Sequence, residues 1–195
     1  MKNKRYSGYI FGAIVIILGI ILIVTFNSLV KKEEQVKLQW NEVQNTYQRR
    51  LDLIPNLVNV VKGGADYEQN TLQQLMEARA KATSFYALAE FSSEKYNQQT
   101  EAQDELAGAA NRLLIKIEKY PDIKGTRAFT DLQVQLEGTE RRIKVARKNF
   151  NAAIATYNST VKSFPTKLVA ALFGYKPKEG FQTDSGTDKA VEIKF

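Results

Sequence analysis

The apolar positions of this chain follow two different patterns. Residues 9–30, YIFGAIVIILGIILIVTFNSLV, contain no charged residue, whereas from Val36 onward apolar residues return only at every third or fourth position. The first pattern predicts a helix that is apolar on every side. At about 1.5 Å of rise per residue, such a run can cross a hydrocarbon core of roughly 30 Å. Tyr9, Ile14, Leu18, Leu22, Phe26 and Val30 mark this expected membrane anchor. The sequence Thr25-Phe26-Asn27-Ser28-Leu29 offers no small-residue cleavage site, so the segment is read as a retained anchor rather than a removed signal.

The second pattern predicts amphipathic helices. Val36, Trp40, Val43, Tyr47, Leu51, Ile54, Val58 and Val61 keep to one face, with Leu53, Leu57 and Val60 as a second apolar flank, so a first helix extends to about Lys62. Pro55 lies inside this pattern and lacks a backbone donor, which predicts a kink or break just before it. Gly63-Gly64 is expected to stop the helix, and Asp66 with Gln69 resembles a capping box for the next. The second helix carries Leu72, Leu75, Met76, Arg79 and Thr83. Ser92 and Ser93 suit the start of a third. Its stripe is Ala102, Leu106, Ala109, Leu113, Ile117 and Tyr120, with Gly108 available for a close backbone approach, and Pro121 ends it.

The longest stripe, Phe129, Leu132, Leu136, Thr139, Ile143, Ala146, Phe150, Ile154, Tyr157, Val161 and Phe164, predicts a helix closed by Pro165. After it, residues 167–175 (KLVAALFGY) form a short apolar segment with two readings. Leu168, Leu172 and Phe173 close the end of the bundle, or the segment lies on a membrane surface with Phe173 and Tyr175 as interfacial aromatics. From Lys176 no period remains and a flexible tail is expected. The predicted fold class is all-α, an N-terminal transmembrane helix followed by a long antiparallel four-helix bundle. Its divisions are a tail at 1–8, the anchor at 9–30, the bundle at 31–175 and a flexible tail at 176–195.

Composition narrows the chemistry. The chain has no cysteine and no histidine. It therefore lacks a thiolate nucleophile, an imidazole base, a Cys or His zinc site and a disulfide framework. No nucleophile with a base beside it can be assembled, so the chain is read as a non-enzyme needing no cofactor. Glu137 with Glu140, and Glu101 with Asp104 and Glu105, lack the histidines of di-iron bundles, which leaves only a carboxylate site for calcium or magnesium open.

The net charge of +7 favours anionic partners only if it is gathered on one face. Arg141, Lys144 and Lys148 point away from Ile143, Ala146 and Phe150, and no aromatic residues interleave with them. They read as a solvated face, and no nucleic-acid partner is expected. Beside the apolar stripe of the longest helix, Glu140, Arg147, Asn151 and Asn158 form a polar row, for which Arg50, Glu77 and Arg79 are candidate partners. The row is either an inter-helix hydrogen-bond network that fixes register or a binding face for another protein.

Lys2, Lys4 and Arg5 precede the anchor, and Lys31, Lys32 and Lys37 follow it. The expectation drawn from these flanks is a single-pass protein of the cell membrane with a cytoplasmic N-terminus and an extracytoplasmic body. Gly8 and Gly12, with Gly19 one heptad on, have two readings: lipid-facing filler of the kind common in such spans, or a close approach of two anchors and hence self-association.

Several ordered segments carry a family resemblance. They are Gln48-Arg49-Arg50-Leu51-Asp52-Leu53-Ile54-Pro55-Asn56-Leu57-Val58, Val61-Lys62-Gly63, Glu77-Ala78-Arg79, Glu118-Lys119-Tyr120-Pro121, Glu137-Gly138-Thr139-Glu140, Arg147, Phe150-Asn151, Tyr157-Asn158 and Phe164-Pro165. Together they closely resemble the bacterial LemA family over nearly the whole chain. Gly64 and Phe150 depart from it, standing where the family usually has tyrosine. The resemblance implies a single-pass, membrane-anchored helical bundle without established enzymatic activity, and a magnetosome-forming relative points to membrane organisation in some members. The functional expectation is a scaffold or interaction partner for envelope proteins, the alternative being membrane remodelling through self-assembly.

Overall fold

The computed structural model describes residues 3–62, 69–86 and 93–181. Among these all regular secondary structure is helical, without a strand. The helices are α1 (Asn3–Lys62), α2 (Gln69–Tyr86), α3 (Ser93–Ile117), α4 (Pro121–Lys124), α5 (Arg127–Lys162) and α6 (Thr166–Phe173). The expected glycine stop at Gly63-Gly64, the cap at Asp66 and Ser92 lie outside the described residues. Two units share these helices, residues 1–39 with 150–179 and residues 40–149 with 180–195.

In the second unit one apolar core joins Leu51, Ile54, Leu57 and Val61 of α1 to Leu72 and Leu75 of α2, Leu106 and Leu113 of α3, Ile123 of α4, and Phe129 and Leu132 of α5. Burial follows the three- and four-residue spacing because only that spacing keeps side chains on one helix face. Around Pro55 the buried arc widens to include Leu53 and Leu57 of the second apolar flank, with Val60 of that flank partly buried against the core. On α2 the buried apolar positions are Leu72, Leu75, Ala78 and Ala82, while Met76 is 41 % exposed and Thr83 lies outside. The stripe drawn through Met76 and Thr83 is therefore corrected. Two alanines, whose small apolar surface gives little signal, carry the contact instead.

Three further expectations change. Pro55 does not break α1, which continues through it to Lys62. At Gly108 an added Cβ would meet only the end of the Arg112 side chain at 3.5 Å, so no backbone comes close there. Pro121 does more than end α3. It occupies the first turn of the one-turn helix α4, where a residue without an N–H costs least.

In the first unit the helix containing the apolar run, Gly8–Lys62, is long and apolar enough to cross a membrane, and only 6 % of its most apolar window is buried. Tyr9, Ile14, Leu18 and Leu22 are all exposed. Exposure ends near Thr25 and Leu29, both buried. Such a run of bare apolar surface is unfavourable in water at about 25 cal/mol per Å², so α1 has the length and composition of a membrane anchor.

Candidate functional site

The polar groups of the second unit gather into a layer across α1, α3 and α5. Arg50 is its centre, with only 2 % of its surface exposed. Its Nη2 donates to Glu140 Oε2 at 2.5 Å, and its Nη1 donates to the backbone oxygen of Gln103 at 2.7 Å and to Gln103 Oε1 at 3.2 Å. Burying a guanidinium is costly unless a carboxylate and further acceptors replace water, and α5 and α3 supply these. Arg50 Nε and Gln103 Nε2 are buried without a hydrogen-bond partner among the described residues.

Two turns further along α5, Arg147 occupies a similar setting. Its Nη1 and Nη2 donate to the two carboxylate oxygens of Asp104 at 3.4 and 2.7 Å, and its Nε donates to Tyr47 Oη at 2.9 Å. The guanidinium also lies 5.5 Å from the Tyr47 ring and 5.6 Å from the Phe181 ring, a cation–π arrangement. Proton direction follows from the next links. Thr100 Oγ1 donates to the backbone oxygen of Tyr96, so Tyr47 Oη, 3.3 Å from Thr100, is the donor to it. Burial raises the Tyr47 pKa above the ordinary phenol value, against the opposing pull of Arg147, and the hydroxyl stays a neutral donor. Burial disfavours the charge on Arg147, but Tyr47 and Asp104 more than offset this and hold its pKa above the ordinary value. Gln44 and Gln99 add a reciprocal amide pair at 2.7 and 2.6 Å.

Arg79 performs a separate task. Pro55 has no N–H to give the carbonyl four residues before it, that of Leu51. Arg79 Nε of α2 donates to this oxygen at 3.1 Å, supplying the missing bond from a neighbouring helix. Glu77 takes no part. It is exposed and accepts from Gln73 one turn earlier on α2. Asn151 is half-buried on α5.

Asn158, in the first unit, grips the chain beyond α6. Its Nδ2 donates to the Lys178 carbonyl at 2.7 Å and its Oδ1 accepts from the Lys178 N–H at 2.8 Å, so one side-chain amide satisfies both backbone groups of a residue outside regular structure. Tyr157 Oη donates to the Lys176 carbonyl at 3.0 Å, and Lys178 Nζ pairs with Glu33 at 2.9 Å while lying 5.4 Å from the Tyr157 ring. For residues 176–178 the flexible tail expected from Lys176 is replaced by a segment fastened to α5, while residues 182–195 of that expected tail lie outside the described residues. No apolar period announces this. The fastening is backbone to side chain and was not legible as a pattern.

Two predictions arise from this clamp. Asn158→Ala removes both bonds, and at roughly 0.5–1.5 kcal/mol each the Lys178 amide should exchange with solvent at least about fivefold faster, as read by hydrogen–deuterium exchange. Tyr157, whose pKa burial pushes up to about 12 with smaller contributions from Glu33 and Tyr175, sets a pH dependence. A raised folded-state pKa contributes stability that is complete below the unfolded phenol value near 10 and disappears as pH rises through 12. Denaturant midpoints should fall between pH 10 and 12, and Tyr157→Phe should flatten that fall.

The acidic side chains weighed for a metal do not converge. Among the described residues, no three acidic groups are gathered as a cation site requires.

With this layer and clamp established, comparison with known proteins is informative. The sequence model of the LemA family matches residues 39–195. This chain belongs to the LemA family. The matched region contains the Arg50, Asp104, Glu140 and Arg147 layer as well as the Asn158 clamp. Among curated proteins, this LemA-family chain is similar to magnetosome protein MamQ 2 of Paramagnetospirillum magneticum, 23 % identical over 188 residues that cover 87 % of this chain and 69 % of that protein. The MamQ of Magnetospirillum gryphiswaldense matches with the same identity and coverage. Protein LemA of Metamycoplasma hominis is 22 % identical over 144 residues, covering 74 % of this chain and 63 % of the relative.

Proposed function

We propose that this LemA-family chain is a single-pass membrane protein whose helices form an antiparallel four-helix bundle on the extracytoplasmic side, serving as a non-enzymatic scaffold for other envelope proteins. The carrying observation is how its interior cations are used. Arg50, Arg79 and Arg147 each hold one helix to another, which leaves them structural work and no reacting group to serve. Buried Arg50 cannot meet a partner, so the contact surface lies elsewhere. A shallow groove of about 260 Å³ lined by Glu42, Arg141, Arg142, Val145, Ala146 and Asn149 offers charge beside the 56 % exposed Val145.

A photo-crosslinking amino acid at Val145, activated in native membranes, tests this reading. A stoichiometric adduct with another protein, lost in Arg142→Glu, supports it. Absence of any heterologous adduct overturns it. Protease accessibility of a C-terminal tag in intact cells decides the side of the membrane.

The likeness to magnetosome proteins favours a second reading, membrane organisation through self-assembly. Gly8 and Gly12 add to it, because a Cβ at either would meet nothing within 4 Å. Full-length protein added to liposomes should then alter their shape under electron cryomicroscopy, and unchanged vesicles would remove this alternative.

A further inference from the structure

Helix α6 has apolar residues on two faces. Apart from Thr166 and Lys167 its sequence, TKLVAALF, is apolar throughout. Val169 and Ala170 face inward, at 8 % and 2 % exposure, while Leu168 is 64 %, Leu172 71 % and Phe173 48 % exposed. The closure of a bundle end by Leu168, Leu172 and Phe173 is thereby corrected for Leu168 and Leu172, since the buried positions are Val169 and Ala170 and of the three only Phe173 packs its ring, against Phe26. A helix apolar all round is covered on every side in its working environment. Phe164, just before it in the chain, is also exposed, at 83 %.

The position of this patch identifies what covers it. Phe26 of the anchor lies 4.8 Å, centroid to centroid, from Phe173 and 6.2 Å from Tyr175, and all three belong to one unit. From Tyr9 to Phe26 an α-helix rises about 26 Å, close to the thickness of a hydrocarbon core of roughly 30 Å. With the anchor inserted, Phe26 therefore stands at the boundary between acyl chains and headgroups, and the ring contacts hold α6 at that depth. Tyr175 is the kind of ring that favours this zone, and the exposed Lys167 and Lys176 suit anionic headgroups.

We infer that α6 is an interfacial helix, its Leu168 and Leu172 face embedded in the bilayer surface, so that the protein holds the membrane at two points, the anchor and a short surface helix. The inference rests on the anchor reading of residues 9–30. The bilayer covers the apolar face, and Gly174, at φ 76° in the left-handed conformation, ends the helix so that the chain leaves it toward Lys176 and Lys178.

The absence of cysteine makes the test direct. Single variants Leu168→Cys, Leu172→Cys, Leu18→Cys and Arg142→Cys of the full chain are spin-labelled and reconstituted in phosphatidylcholine–phosphatidylglycerol vesicles. Collision with oxygen is then compared with collision with a water-soluble nickel chelate. The expected result is an oxygen-to-nickel ratio at Leu168 and Leu172 several-fold above that at Arg142, approaching that at Leu18. A ratio at both α6 sites equal to that at Arg142, with Leu18 in lipid, overturns the inference and spares the anchor. A low ratio at Leu18 overturns the anchor reading and the inference with it. Spin–spin broadening at Leu172 that disappears on dilution with unlabelled protein shows a second copy on this face and also overturns the inference.

Discussion

Glu140→Ala should destabilise the protein by about 3 kcal/mol, because it removes the carboxylate that neutralises a guanidinium 2 % exposed. The side chain of Glu140 is itself 45 % exposed, so water reaches one side of the pair and keeps the cost at the low end of the range for buried pairs. For a domain of this size, a loss of that order lowers the midpoint of thermal unfolding by roughly 6–12 °C. Circular dichroism of full-length protein in detergent measures it.

The complementary experiment separates specificity from stability. Arg50→Met, Gln103→Leu and Glu140→Leu together remove the charge pair and also both unsatisfied donors, Arg50 Nε and Gln103 Nε2. The triple variant should recover most of the loss, since replacing an entire buried ion pair with apolar side chains is often neutral or stabilising. A triple variant as unstable as Glu140→Ala would show that the pair contributes net stability and does not merely fix the register of α1, α3 and α5.

Arg79→Met should cost about 1.5–3 kcal/mol, the value of a hydrogen bond to a charged donor, by leaving the Leu51 carbonyl without a partner. The cost should shrink in a Pro55→Ala background. Alanine restores the backbone N–H that the Leu51 oxygen would accept in an uninterrupted helix, and Arg79 then becomes dispensable at that site. A double-mutant cycle by urea unfolding should show a coupling of about 1–2 kcal/mol between residues 55 and 79. Independent, additive effects would mean that the Arg79 contact contributes nothing to accommodating proline inside α1. The pairing also gives physical content to the segment around Pro55 and to Glu77-Ala78-Arg79, which resemble the family separately in sequence and meet across two helices in space.

Lys81 with Glu105 offers a useful contrast. This inter-helix pair at 2.6 Å has both side chains about half exposed, at 49 % and 47 %. Its distance is as short as that of Arg50 with Glu140, yet solvent screening leaves an exposed pair worth about 0–1 kcal/mol. Burial, and not separation, ranks the charge pairs of this protein.

Spacing in the sequence determined where the helices run and which faces turn inward. The stripe from Val36 to Val61 and that from Phe129 to Phe164 were legible because an apolar residue every three or four positions has one helical explanation, except that Phe164 itself lies beyond α5 and is exposed; residues 9–30 were legible because an uncharged run of that length suits lipid. The placement of Glu140, Arg147, Asn151 and Asn158 in one polar row was equally legible, since all four lie on one helix. Their partners were decided only by tertiary structure. Asp104 and Tyr47 become neighbours of Arg147 on α5, and Gln103 and Glu140 neighbours of Arg50 on α1, through the packing of separate helices, and no local pattern encodes a hydrogen bond across 43 or 90 residues. The same holds for Arg79 on the Leu51 carbonyl, for the Asn158 grip on Lys178 and for the two apolar faces of α6. Periodicity reports which side of a helix avoids water. It carries no information on which donor meets which acceptor, because that depends on where another helix places its side chains.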